Sequence, residues 1–299
     1  MDKYEKRMCK IALIPVIFSI FALTGGAGSL QSEGLPMKNI EYGEHTRQKM
    51  DISLPEIADE QHKVPIVLCI HGGSWTNGDK TNFDYIIEKV HKINSAYVSV
   101  NYRLLGDSVT HKEMLDDIYS AVAFLKKNGD KYHLKTDKMF VIGSSAGGHL
   151  ALLYSYTKES PIKVAFLSSR TGPADFLDPD QQAMNGVNRR EMLNKLTGTN
   201  VTLAQATDPN FIFPQEWYDA SPIYQVNSAS PPTILAYGMQ DELVSYSNAT
   251  RMDAKLTEKG VTHKLITFPN SGHSLSNDPD RNNEYWQVVY QYFNEYMLK

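Results

Sequence analysis

Apolar residues recur along this chain in two rhythms that alternate. Val64–Ile70 is an unbroken apolar run closed by His71-Gly72-Gly73, which predicts a strand buried on both faces of a parallel sheet. Ala96–Val100, Lys138–Ile142, Val164–Leu167, Thr233–Tyr237 and His263–Phe268 predict further strands. Between them the spacing lengthens. Met114, Ile118, Ala121, Val122 and Leu125 recur at helical intervals and stop near Asn128-Gly129. Ala146 to Tyr156, Asn248 to Lys259 (ending at Gly260) and Asn283 to Met297 predict three more helices. Strands alternating with helices predict an α/β domain, placed over residues 35–299 after a linker at Gln31 to Asn39. From Arg170 to Pro222 the alternation fails. This stretch carries Pro173, Pro179, Pro214 and Pro222 with Phe176, Phe211, Phe213, Trp217 and Tyr218, and is read as a lid-like insert or substrate wall around 170–222.

The first 29 residues follow a different logic. Lys3, Lys6, Arg7 and Lys10 precede the uncharged run Ile11 to Leu23, and small residues follow from Thr24 to Ser29. This is the order of a secretory signal peptide. The run is about 13 residues, short of the ~20 that a membrane helix needs. The expectation is a secreted or periplasmic protein with no stable membrane span after cleavage; the alternative is an uncleaved N-terminal anchor. Charged residues make up 21% of the chain and the net charge is −4, with Lys and Arg scattered, so no nucleic-acid surface is expected. Cys9 and Cys69 give no disulfide framework and no metal site. Oligomeric state is left open.

Candidate chemistry concentrates after the predicted strands. Gly143-Ser144-Ser145-Ala146-Gly147 fits G-x-S-x-G between a strand and a helix, which makes Ser145 the candidate nucleophile. His71-Gly72-Gly73-Ser74-Trp75 follows the first buried strand. Gly72, Gly73 and Ala146 are candidate oxyanion donors, because acyl transfer needs backbone N–H groups where negative charge develops. His71 is assigned to fixing that loop. A serine also needs a base and an orienting acid, in the order Ser, acid, His. Asp241, competing with Glu242, follows the strand Thr233–Tyr237, and His273 follows His263–Phe268. Of the other histidines, His45, His62, His91, His111 and His133 are expected to be exposed and His149 to pack. Trp75 and Trp217 are candidate substrate contacts. No phosphate loop and no dinucleotide or zinc-protease motif appears, so neither cofactor nor metal is expected. Asn200 and Asn248 begin glycosylation sequons.

Taken together, His71–Trp75 with Gly78-Asp79-Lys80, Asn101-Tyr102-Arg103-Leu104, Gly143–Ala151, Ala220-Ser221-Pro222-Ile223, Gly238…Asp241…Val244 and Gly272-His273 resemble the α/β-hydrolase esterases of the acetyl esterase and hormone-sensitive-lipase-like kind. The likeness runs from about Asp51 to the C-terminus and is greatest to the branch of bifunctional feruloyl and acetyl-xylan esterases. It implies a mostly parallel eight-stranded sheet with helices on both faces, the triad Ser145, Asp241 and His273, and Asp117 as a structural carboxylate. It further implies hydrolysis of short-chain acyl esters, acetyl above all, on a small-molecule or carbohydrate substrate. Ser74 stands where lipase-type relatives carry a third glycine, and Ser144 where they carry Asp. An amidase or exopeptidase on the same triad, or a catalytically silent binding protein, are the alternatives. Export predicts a mature N-terminus near Ala27–Ser29, read by N-terminal sequencing of the secreted protein; an anchor would leave residues 1–29 in place.

Overall fold

In a computed structural model the described residues are 36–106, 108–180 and 189–299; the predicted signal peptide and Cys9 lie outside them. Eight strands form one sheet in the order β1-β2-β4-β3-β5-β6-β7-β8. They are β1 (Met37–Glu41), β2 (Lys49–Ser53), β3 (Val64–Ile70), β4 (Ala96–Val100), β5 (Leu134–Ser144), β6 (Lys163–Arg170), β7 (Thr233–Gly238) and β8 (His263–Phe268). From β4 to β8 all neighbours are parallel, and β1 and β2 add an antiparallel edge. The helices used below are α1 (Ile87–His91), α2 (His111–Asn128), α3 (Ala146–Thr157), α4 (Arg189–Thr197), α5 (Leu203–Ala206), α6 (Gln215–Asp219), α7 (Ser247–Glu258) and α8 (Pro279–Tyr292).

The continuous apolar runs are the strands with two buried faces, and their period of two sorts the side chains. Ile66, Leu68, Ile70, Val98, Val100, Met139 and Val141 enter one core with Met114, Ile118, Val122 and Leu125 of α2 and with the apolar residues of α3. Val67, Cys69, Tyr97, Phe140 and Ile142 enter the other core with Val90 of α1 and with Tyr285, Trp286 and Val289 of α8. Local chemistry sets the helix ends. Thr110 caps α2, and Glu113 returns the bond to the Thr110 N–H at 2.7 Å, a capping box. Gly260, at φ 67°, follows α7 in the left-handed conformation that ends many helices.

Four readings of the chain are revised. The linker at Gln31 to Asn39 extends too far, since Met37 begins β1. Both antiparallel strands are five residues long and β1 is a largely exposed edge, so their apolar signal is short: Met50 and Ile52 are buried, and Met37 and Ile40 are half-buried. The irregular segment begins after Arg170, which ends β6. Its described part is packed into the body: Phe176, Leu193, Leu196, Trp217 and Ala220 are buried in the same core as α2 and α3. His111 on α2 bonds the Leu196 carbonyl at 2.8 Å, and His149 on α3 bonds that of Ala220 at 2.7 Å. Those contacts hold the described stretches down and give no free flap. Residues 181–188 of the insert lie outside the described residues. His111 is therefore buried, not exposed as expected. The Asn248 side chain is wholly buried, accepting from the Ala174 and Asp175 amides and donating to Asp178, so no glycan can reach it.

The order β4-β3-β5 fixes where a site can form. The chain leaves β3 toward one side of the sheet and β5 toward the other, so the loops at their carboxyl ends diverge and open a crevice. Beside it, Asp117 on α2 takes a forked contact from Arg103 at 2.7–3.0 Å, the Arg103 amide at 2.8 Å and Gln48 at 2.7 Å. Its carboxylate is buried, so removing it strands a guanidinium and an amide. Arg103 keeps part of its side chain in solvent, so Asp117→Ala is expected to cost about 2–3 kcal/mol, the range for losing hydrogen bonds to a charged group, measured by urea unfolding.

Candidate active site

Ser145 sits between β5 and α3 with φ 54° and ψ −125°, a conformation few L-residues adopt. The surroundings hold it there. Its N–H donates to the Arg170 carbonyl at 2.8 Å, and its own carbonyl accepts from His149 N–H at 3.0 Å. A Cβ on Gly143 would lie 2.0 Å from the Gly147 carbonyl oxygen, and one on Gly147 would lie 2.0 Å from that of Ile70. Both flanking glycines are thus sterically required. Ala146, the first residue of α3, has its N–H before the first intrahelical bond.

Across the crevice, Gly72 runs beside this turn, where a Cβ would meet Ser144 O at 2.8 Å and Ser145 Cβ at 3.0 Å. Gly73, at φ 116°, accepts at its carbonyl from Thr76 and Asn77. His71 is buried, stacks on Tyr102 with ring centroids 4.4 Å apart, and bonds the Gly72 carbonyl through Nδ1 at 2.7 Å. It braces the loop, as its position in the sequence suggested.

The loops after β7 and β8 bring Asp241 and His273 together, with Asp241 Oδ2 and His273 Nδ1 2.8 Å apart. Asp241 Oδ1 also accepts from the Leu243 and Val244 amides at 2.8 and 2.9 Å. The Asp241 side chain has no exposed surface while Glu242 is exposed, and this selects Asp241 over its neighbour. His273 keeps a quarter of its side chain exposed. The end of β6 joins the two halves. Arg170 O holds the Ser145 amide, and the next residue, Thr171, donates through its hydroxyl to the His273 carbonyl at 3.4 Å. Sequence reasoning missed Asp278, which ties the His273 loop by accepting from Asn270 N–H at 3.0 Å and from Ser271 Oγ at 2.6 Å. Its available signal was an Asp directly before a helix-starting Pro279.

The two tryptophans named as candidate substrate contacts are both buried. Trp75 is 3% exposed and donates from its indole to His149 Nδ1 at 3.2 Å. Trp217 is 2% exposed, stacks on Phe213 and bonds Thr199 at 2.9 Å. Both sit in the apolar core, because large rings gain most from leaving water.

A family model for BD-FAE matches residues 50–256. The chain belongs to the BD-FAE family. It is 26% identical over 244 residues to esterase LipQ of Mycobacterium tuberculosis, covering 79% of this chain and 56% of that protein. It is 27% identical over 170 residues to endo-1,4-beta-xylanase B of Butyrivibrio fibrisolvens, covering 56% of this chain and 25% of that one. The chain spans about half the length of the curated relatives it matches. Among solved structures, this BD-FAE fold superposes on a truncated carbohydrate esterase from gut microbiota with TM-score 0.76 at 17% identity, covering 91% of this chain and 99% of that one. An acetyl ester-xyloside bifunctional hydrolase from Caldicellulosiruptor lactoaceticus gives 0.67 at 19%, covering 88% and 98%. These superpositions identify the architecture as that of the α/β-hydrolases.

Burial pushes the imidazole of His71 down to about 4 and that of His149 down to about 3, from an ordinary 6.5. Both are therefore neutral in the folded protein at pH 5, whereas in the unfolded chain they take up protons. Since the folded values are depressed, stability is fully present above about pH 6.5 and falls as pH drops through a window that reaches down to about 4 for His71 and about 3 for His149. Within that window each of the two histidines removes ~1.4 kcal/mol for every pH unit of acidification. The urea midpoint is expected to fall by the equivalent of roughly 5 kcal/mol between about pH 7 and about pH 4.5. His149→Gln should flatten that fall while lowering stability at pH 7.

Proposed function

We propose that this protein is a serine carboxylic-ester hydrolase acting on short-chain acyl esters, acetyl in particular, carried by carbohydrate. The observation that carries the reading is the 2.8 Å Asp241–His273 contact at the same sheet edge as the strained Ser145 turn. In this mechanism Ser145 Oγ attacks the ester carbonyl and His273 Nε2 takes its proton. Asp241 fixes the imidazole with its proton on Nδ1 and stabilises the imidazolium that forms. The Gly72, Gly73 and Ala146 amides receive the oxyanion. The tetrahedral adduct collapses, His273 gives its proton to the departing alcohol, and the acyl group is left on Ser145. Water then attacks the acyl-enzyme by the same route in reverse, releasing the acid. The protein's own groups supply every proton transfer in this sequence.

Family membership and the names of the relatives support an ester as substrate. The carbohydrate assignment is supported by a carbohydrate esterase and a xyloside hydrolase among the structural neighbours. The basic start and apolar run of residues 3–23 support export, which would bring the enzyme to polysaccharide esters. Among the described residues no helix is long and apolar enough to cross a membrane.

A fluorophosphonate probe is expected to label the wild-type protein and not Ser145→Ala. Asp241→Asn should lower kcat roughly 10⁴-fold by stabilising the wrong tautomer. Acetylated xylan and p-nitrophenyl acetate should be cleaved faster than longer-chain esters and than aryl amides. Faster amide cleavage would make it an amidase, and absence of probe labelling would make it a binding protein.

A further inference from the structure

Arg47 lies in the turn between β1 and β2, before the matched family region, and holds three groups around the oxyanion loop. Its Nε donates to the Tyr102 carbonyl at 2.8 Å, and its Nη2 donates to the Gly78 carbonyl at 2.9 Å and reaches His71 Nε2 at 3.1 Å. A guanidinium carries donors and no acceptor, and it does not lose its proton. His71 Nε2 facing it must therefore be the unprotonated, accepting nitrogen. The single ring proton is then on Nδ1, which donates to the Gly72 carbonyl at 2.7 Å.

That bond has a consequence on the far side of the peptide. In a trans peptide the C=O of one residue and the N–H of the next point in opposite directions. Drawing the Gly72 oxygen toward His71 therefore turns the Gly73 N–H away from His71. Gly78 closes the arrangement from the His71 side: a Cβ there would fall 2.2 Å from Gly72 O and 2.4 Å from His71 Nδ1. The carbonyl is boxed in and the peptide cannot flip without displacing Gly78, whose own carbonyl Arg47 holds. The chain of donors running from a fixed positive charge through His71 to Gly72 also polarises the Gly73 N–H, making it a better donor.

We propose that Arg47 is the positioning residue of the oxyanion hole: by fixing the His71 tautomer it sets the Gly72–Gly73 peptide and aims the Gly73 amide. This rests on the esterase reading above. Arg47 touches no reacting atom and acts through His71.

The test compares Arg47→Met and Arg47→Lys with wild type on an acetyl ester. Arg47→Met is expected to lose roughly ten- to a hundred-fold in kcat, somewhat less than the ~10²–10³ for deleting an oxyanion donor outright. KM should change less than threefold, as an approximate bound for a group acting only in the transition state. A trifluoromethyl ketone, which forms a tetrahedral oxyanion on the nucleophile, should weaken by the same factor as kcat. Arg47→Lys keeps the charge but cannot reach all three acceptors, and should fall between. Imidazole ¹⁵N spectra should show His71 protonated on Nδ1 alone in wild type and as a mixture of tautomers in Arg47→Met. A folded Arg47→Met with wild-type kcat, or one altered in KM alone, would overturn the proposal. If Arg47→Met does not fold, the same measurements on Arg47→Lys decide it. Probe labelling of wild-type Ser145 separates the failures. Labelled, active wild type with unaffected Arg47 variants removes only the role of Arg47, whereas unlabelled, inactive wild type removes the esterase reading and this inference with it.

Discussion

The approach of two backbone segments at the carboxyl ends of β3 and β5 is the constraint on which the site depends. Gly147 sits so close to the Ile70 carbonyl, and Gly143 so close to Gly147, that a single methyl group at either place would drive them apart. That contact lets Ser145 occupy a left-handed turn, and the hydrogen bonds from β6 and α3 keep it there against the strain. The same approach brings Gly72 against Ser144 and Ser145. Candidate nucleophile and candidate oxyanion donors are therefore one packing problem, solved at the point where the strand order reverses.

Around this contact the protein uses buried neutral histidines as struts. A neutral imidazole has one donor and one acceptor on opposite sides of a rigid ring, so it can join two segments across a core if each side finds its partner. His71 joins the Arg47 turn to the Gly72 carbonyl, and His149 joins the Trp75 indole to the Ala220 carbonyl. Trp75 and His71 flank the Gly72–Ser74 turn, so that loop is braced from both ends. His273 is built differently. It keeps a quarter of its side chain exposed and has a carboxylate, that of Asp241, 2.8 Å from Nδ1.

The antiparallel edge has a role that its weak hydrophobic signal hides. The turn between β1 and β2 brings Arg47 to His71 and Gln48 to Asp117, and so connects the edge of the sheet to its central crevice. The segment after β6 contributes in a similar way through Ala220 and Leu196, whose carbonyls satisfy His149 and His111.

By itself the sequence determined the features whose cause is local. The central strands are continuous apolar runs, α2 carries its own cap and stop, and G-x-S-x-G describes a turn whose sterics are settled within five residues. The order and spacing of Asp241 and His273 were legible because each follows a strand the apolar pattern already marks. What the tertiary structure decided depends on contacts between residues distant in the chain. Asp241 was separated from Glu242 by which carboxylate the β8 loop meets, and the aromatic signal of Trp75 and Trp217 turned out to be core rather than surface. A ring's hydrophobicity is the same in a binding cleft and in a core, so the residue type alone could not choose. Nor could residue type place Arg47 beside His71, since a solvated arginine and a structural one read alike until the fold supplies three acceptors for its donors.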